Sequence, residues 1–373
     1  MNVLIRCDAF TDIGFGHIVR CLALADELRD IHNCRISFAM RTGPLGIKMV
    51  EEKDYQVITP RDTGKTFDYR NWLNECVKKV DARAIVFDVR DELTRAVVKE
   101  LRNNGILIIT IDDPEDKRLE ADLAFYPPVP QVKRIDWTGF TGKLYVGWEW
   151  VILRKEFSEW RKRHDGIPDQ CPMTNDGSSM TADGFSLPPT HCTKIPRILV
   201  TMGGSDPQGM TLKAVKALEM LDEDFDAVVV LGAGFQHKDE LDNLLYDCKH
   251  HFDVKANVQN MAEIMAQSDL AVASFGVTAY ELAAMGVPAI YLCLTEDHAE
   301  SALAFVEEGM AVCLGVSQQL AESDIENVIK TFLQVPEKLD LMRNIAIQSI
   351  DGKGVERIIQ LIFNFHEVDS TNT

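Results

Sequence analysis

The sequence carries no CxxC pair among its nine cysteines and no GxGxxG fingerprint, and no apolar run approaches the ~18 residues that a membrane span requires. Each absence removes a class of protein. Cys7, Cys21, Cys293 and Cys313 lie scattered in apolar segments, so the cysteines read as reduced, buried thiols. Positive charge is also scarce. Lys and Arg number 39 against 58 Asp and Glu, which leaves a net charge of -19. Such a field disfavours nonspecific binding to nucleic acid or to anionic membrane. An anionic substrate can still bind through local NH groups and a few cations. Met1-Asn2-Val3-Leu4-Ile5-Arg6 shows no basic region followed by an apolar stretch and a cleavage site. No signal peptide and no membrane insertion are therefore expected, and a cytoplasmic location is.

What is present is a regular alternation. The chain has 373 residues, 46% hydrophobic and 26% charged, enough for two full cores. Strand-like runs at 2–8, 35–40, 55–59, 83–88 and 106–111 alternate with helix-like runs at 18–30, 68–80 and 93–104. The pattern restarts with strands at 197–202, 226–231, 269–274 and 289–294, and helices at 209–221, 278–285 and 298–308. Strands alternating with helices imply parallel βαβ units, hence an α/β fold with two such domains. The expected boundaries are 1–158 for the first, 196–352 for the second, and 353–373 for a C-terminal helix and tail. Residues 159–195 are rich in Gly, Pro, Ser and Asp, and read as a linker with a poorly ordered insertion. The last helix, 355–365, is placed to cross back to the first domain.

Three clusters follow predicted strands, at the end where open α/β sheets bind ligands. The first is Arg6-x-Asp8, then Gly14-Phe15-Gly16-His17 and Arg20. The glycines allow a tight turn and a close approach to a ligand. His17 falls where a helix begins, among free NH groups that favour a neutral imidazole. It either takes a proton as a base or merely packs and caps the turn; four residues do not choose. The second cluster is Gly203-Gly204-Ser205-Asp206-Pro207. Its NH groups and the Ser205 hydroxyl can cradle a diphosphate, or form an ordinary turn, with Asp206 capping the helix. The third is Gly276-Val277-Thr278-Ala279-Tyr280-Glu281 with Gly286-Val287-Pro288, and Asp297-His298 after the next strand. Gly276 exposes NH groups, Thr278 adds a hydroxyl, and Glu281 can hold two ribose hydroxyls or simply suit a helix start. Asp112-Asp113 lacks a third ligand at metal spacing, so a loop-capping or outer-shell role is expected and no metal site.

Taken together, Arg6-x-Asp8, Gly14-x-Gly16-His17-x-x-Arg20-Cys21-Leu22, Ile111-Asp112-Asp113, Leu153-Arg154-x-x-Phe157 and Gly203-Gly204-Ser205-Asp206-Pro207 resemble the UDP-2,4-diacetamido-2,4,6-trideoxy-β-L-altropyranose hydrolases of pseudaminic acid biosynthesis, grouped with spore-coat-polysaccharide-type proteins. The third cluster is also similar to the N-acetylglucosaminyltransferase that makes lipid II. The resemblance implies the GT-B fold: two Rossmann-like domains facing a cleft, the second holding the nucleotide. It implies an inverting, metal- and cofactor-independent hydrolysis of a UDP-linked amino-sugar at the anomeric C–O bond. His17 is then the base; Asp8, Gly14, Gly16, Arg20, Arg154, Gly203, Gly204, Ser205, Gly276, Thr278, Glu281 and His298 contact substrate or nucleotide. The alternatives are a GT-B glycosyltransferase using a UDP-sugar donor and a non-catalytic nucleotide-sugar-binding domain. Asp88-Val89-Arg90 lacks the tyrosine that the hydrolases often carry there, and Asp297-His298 replaces their Asn-Gln. Both departures point to a different sugar.

Overall fold

The computed structural model describes residues 1–8, 16–41, 43–61, 64, 67–164, 179–180, 186–187 and 195–371. Gly14 and most of the 159–195 insertion lie outside the described residues. The chain divides into two compact units, Met1–Arg154 with Gly352–Thr373, and Lys155–Asp351. Helix Lys155–His164 thus belongs to the second unit, where Arg161 donates to the carbonyls of Ala284 and Ile347 at 3.4 and 3.1 Å. Those carbonyls close two other helices, which is why the helix following Arg154 docks there rather than on the first unit.

In the first unit the strands are β1 Asn2–Cys7, β2 Arg35–Ala39, β3 Gln56–Ile58, β4 Ala84–Asp88, β5 Leu107–Ile111, β6 Leu123–Tyr126 and β7 Lys143–Val146. They form one parallel sheet in the order β3-β2-β1-β4-β5-β6-β7. Alternate residues feed opposite faces, as the strand period requires. Val3, Ile5, Ala84 and Val86 enter one core, and Leu4, Ile85 and Phe87 the other. Both faces are covered, so the central strands read as unbroken apolar runs. Helix Gly354–Thr371 returns to this unit, and its Val355, Ile358, Ile359 and Ile362 complete the first of these cores. Gly354 fits because a Cβ there would stand 2.1 Å from the carbonyl oxygen of Val151.

In chain order between the two large sheets comes a two-residue antiparallel pair, β8 Ser179–Met180 and β9 Ser186–Leu187. The second unit contains β10 Arg197–Thr201, β11 Asp226–Leu231, β12 Phe252–Ala256, β13 Leu270–Ser274, β14 Ala289–Cys293 and β15 Ala311–Val316. They form a parallel sheet in the order β12-β11-β10-β13-β14-β15. The two-unit, parallel-sheet α/β expectation is therefore met. Four strands of the two sheets escaped the sequence pattern, β6, β7, β12 and β15. β7, β12 and β15 lie at sheet edges and have mostly partly or fully exposed residues, so they lack the apolar run that marks a central strand, whereas β6 is buried but only four residues long. Among the described residues no helix is long and apolar enough to cross a membrane.

The return helix generates a direct test. Ile359 is fully buried on it. Ile359→Ala is expected to lower stability by about 2–5 kcal/mol, read as a lower denaturant midpoint.

Candidate active site

In the first unit the order of strands reverses between β1 and β4: the chain proceeds from β1 outward through β2 and β3, and from β4 outward through β5. That switch point leaves a crevice at the carboxyl ends of the two strands. Cys7 and Asp88, which end β1 and β4, are register partners there. Helix Gly16–Asp30 follows β1, so its first turn lies over the end of β4. His17 and Arg20 are three residues apart and share a helix face. Both reach Asp88.

Asp88 is fully buried. The Arg20 fork grips it in bidentate fashion, Nε to Oδ2 at 2.5 Å and Nη2 to Oδ1 at 2.6 Å. His17 Nδ1 lies 2.5 Å from Oδ1. Burial alone would raise the Asp88 carboxyl, but the charges of Arg20 and His17 and their hydrogen bonds hold it well below the usual carboxylate range. An ionised carboxylate only accepts, so His17 Nδ1 carries hydrogen and donates to it. The 3.1 Å approach of Arg20 Nη2 to the same ring nitrogen sets two donors side by side around one acceptor. That leaves Nε2 as the nitrogen that can accept when the ring carries a single hydrogen. Asp112, held at φ 51°, receives Arg20 Nη1 at 3.4 Å and extends the network to β5. The His17 side chain is 18% exposed. A partly accessible imidazole oriented by a buried carboxylate is a general-base arrangement.

Asp8 has a different employment. Its Oδ2 receives Arg6 Nη2 at 2.6 Å, and its Oδ1 receives the backbone NH of Arg41 at 2.7 Å. Arg6 is fully buried and spends its donors on Tyr69 Oη, the carbonyls of Cys7 and Ala39, Asp8 and Asp91. The pair braces the ends of β1 and β2. Gly16 opens the helix that carries His17, and half-buried Arg154 ends the first stretch of the unit. Asp113 does cap a loop, accepting from the NH of Glu115 at 2.9 Å. It is almost fully buried beside Lys117, and burial, outweighing Lys117, pushes its carboxyl up to about 6.

The second unit repeats the switch point between β10 and β13. Gly203-Gly204-Ser205-Asp206 follows β10, Gly276 follows β13, and helix Glu296–Glu308 with His298 follows β14. These strands are neighbours, so the second and third sequence clusters meet at one edge. A Cβ on Gly203 would lie 3.7 Å from Ser274 Oγ. Asp206 caps as expected, accepting from the NH groups of Met210 and Thr211, both at 2.8 Å. The turn packs on Gly232, whose added Cβ would stand 2.3 and 2.4 Å from the carbonyl oxygens of Gly203 and Gly204. Gly276 differs. Its backbone is extended at φ 162°, and a Cβ there would meet nothing within 4 Å. Neither strain nor packing calls for glycine at that position. What it leaves is open space at the N-terminus of helix Val277–Ala284, whose first NH groups have no partner within the helix. Thr278 is half-buried in the first turn and Glu281, in the second, is buried. The NH of His298 donates to Thr295 Oγ1 at 3.2 Å, and its ring centroid is 6.3 Å from that of Phe275.

The residue that sequence reasoning passed over is Asp88. The sequence shows it as the acidic end of the 83–88 strand, next to the missing tyrosine, and a carboxylate at that strand end is a usable signal.

Three outcomes are expected. Asp88→Asn strands the buried end of Arg20 and is expected to cost about 3–5 kcal/mol at neutral pH. Because the Asp88 carboxyl is depressed on folding, its contribution is present above the unfolded value of ~3.9 and lost as pH falls further, so the variant also loses that acid-limb dependence. Asp113 has the opposite sign: its folded value of about 6 means stability rises as pH drops from there toward the unfolded value. Asp113→Asn is expected to flatten the denaturant midpoint across that window. Gly232→Ala is expected to destabilise by about 1–3 kcal/mol, measured by thermal unfolding.

Comparison with known proteins agrees with this architecture. Residues 197–361 match the profile described as the glycosyltransferase family 28 C-terminal domain. An uncharacterised protein of Methanocaldococcus jannaschii is 29% identical over 302 residues, covering 79% of this chain and 56% of that protein. The chain therefore spans little more than half the length of that relative. The spore coat polysaccharide biosynthesis protein SpsG of Bacillus subtilis is 22% identical over 371 residues, covering 98% of this chain and 99% of the other. Among solved structures, MurG of Acinetobacter baumannii superimposes with a TM-score of 0.68 at 15% identity, over 98% of this chain and 100% of that one. UDP-GlcNAc 2-epimerase of Neisseria meningitidis, bound to UDP-GlcNAc, gives 0.62 at 12%, again over 98% and 100%. At such identities the shared property is the fold, and that fold is GT-B: two Rossmann-like parallel-sheet units, the second similar to a glycosyltransferase C-terminal domain.

Proposed function

We propose that this chain is an enzyme of surface-polysaccharide biosynthesis that breaks the anomeric C–O bond of a UDP-linked amino-sugar. The observation that carries the reading is the orientation of His17 by buried, ionised Asp88. The nucleophile's O–H gives its proton to Nε2 as its oxygen attacks the anomeric carbon. Asp88 stabilises the imidazolium that forms. The leaving diphosphate takes negative charge, which free NH groups at the start of helix Val277–Ala284 are suited to accept. Gly203, Gly204 and Ser205 add donors at the same sheet edge, with Thr278 beside them. Glu281 receives the ribose hydroxyls, and His298 and Arg154 serve the substrate. Arg20 acts through Asp88, and Asp8 and Gly16 through the placing of the strand end and helix. The UDP assignment is supported by the epimerase of the same fold that holds UDP-GlcNAc.

Glycosyl transfer to an acceptor hydroxyl is the reading that the family 28 match favours. Hydrolysis, with water in the acceptor's place, is the second reading. The observation favouring it is that the likeness to the spore coat protein runs through both units, including the His17 region, whereas the family 28 match is confined to 197–361. The sugar of the pseudaminic pathway is one substrate of this class.

The purified chain, given UDP-linked amino-sugars, is expected to release UDP. Release in water alone identifies a hydrolase, and release only with an added acceptor alcohol identifies a transferase. No release under either condition sinks the proposal. His17→Ala is expected to cut turnover by about 10²–10⁴-fold while UDP affinity is kept; unchanged turnover removes His17 from the chemistry. Gly276→Ala is expected to weaken UDP binding while changing stability by less than about 1 kcal/mol.

A further inference from the structure

The end of β14 and the middle of β15 bring two thiols together that the chemistry above does not use. Tyr291 of β14 pairs with Cys313 of β15, and Cys293 pairs with Val316. Cys293 stands two residues beyond Tyr291, so it projects from the same sheet face as Tyr291 and Cys313. The two sulfur atoms are 3.6 Å apart. Cys293 is fully buried and Cys313 is half-buried, so the pair joins an inner residue to a partly exposed one. Cys7 and Cys21 are also neighbours, but both are fully buried.

The surroundings separate the two sulfurs chemically. Hydrogen bonding between the two thiols, in which either sulfur can donate, and burial raise the Cys293 thiol, while the same bond and the NH of Gly315 lower the Cys313 thiol against burial. Partly exposed Cys313, with its thiol lowered, is the sulfur placed to attack as a thiolate, and buried Cys293 is its partner. The backbone also has slack. The β14–β15 register slips between Tyr291 and Cys293. Gly315 sits at φ 90° with nothing within 4 Å of a built Cβ.

We propose that Cys293 and Cys313 form a peroxide-sensitive dithiol site that closes to a disulfide. The Cys313 thiolate attacks one oxygen of hydrogen peroxide and breaks the O–O bond. Cys313 becomes a sulfenic acid, and the departing hydroxide takes up a proton to become water. The Cys293 sulfur then attacks the Cys313 sulfur and breaks the S–O bond. The second hydroxide leaves with the Cys293 proton as water, and the S–S bond forms. Two thiols are oxidised and one peroxide is reduced to two waters.

Closure has a structural consequence. The sulfurs must shorten their separation to the ~2.05 Å of a disulfide. The cysteines lie on a diagonal across the strand pair, so the bond draws the end of β14 toward β15. Two residues past Cys293 stands Thr295, whose side chain caps helix Glu296–Glu308 through the NH of His298. Oxidation therefore loosens that cap.

The full chain is treated with hydrogen peroxide, alkylated and digested without reductant. A Cys293–Cys313 linked peptide that a dithiol reductant removes is expected. In Cys293→Ser, dimedone is expected to label Cys313, and in Cys313→Ser, Cys293 is expected to stay reduced. Oxidation of other thiols with no linked peptide overturns the proposal, as does equal reactivity of Cys293 in the Cys313→Ser variant. Amide exchange at His298 is expected to quicken in the oxidised wild-type chain, and unchanged exchange overturns the coupling to the cap.

Discussion

One buried carboxylate organises the first unit's site. Asp88 lies at the end of a central strand with no solvent to stabilise its charge. A lone ion there would cost several kcal/mol, so the fold must bring partners to it. Arg20 and His17 come from the helix that follows the neighbouring strand, and their bonds tie that helix to the sheet. The same bonds settle which imidazole nitrogen carries hydrogen. Arg20, committed to Asp88 and Asp112, is a positioning residue rather than a free cation. The chemistry proposed for His17 therefore depends on a charge that never meets the solvent.

The two units share one topology but fill its switch point with different residues. In the first, charged side chains crowd the switch point, and Arg6, Asp8, Asp91 and Tyr69 form a second network beside the first. In the second, glycines and helix starts occupy the corresponding edge, and the acidic Asp206 is consumed in capping. The glycines there divide by function. Gly232 is required by the backbone packed against it, whereas Gly276 faces open space. The proposed function assigns a proton acceptor to the first unit and anion-accepting NH groups to the second.

The GT-B fold, implied by resemblance, is shown by comparison, whereas the amino-sugar chemistry rests on resemblance. The family 28 match, at 197–361, takes in the sheet of the second unit. Under the role proposed for His17, transfer and hydrolysis differ in the nucleophile that gives it a proton.

The sequence by itself determined the two parallel-sheet units, the strand-end placement of all three clusters, the capping role of Asp206 and the return of the last helix to the first unit. Those features follow from local periodicity and from short-range hydrogen bonding, both of which are written in neighbouring residues. Edge strands β7, β12 and β15 were illegible because exposed positions need no apolar pattern. The partnership of Asp88 with His17 and Arg20, residues 71 and 68 positions away in the chain, was decided only by tertiary structure. So was the contrast between Gly232 and Gly276, and the meeting of Cys293 with Cys313. In each case the physical cause is a contact between strands or helices distant in sequence, and no local pattern encodes which buried charge, carbonyl or sulfur will stand opposite.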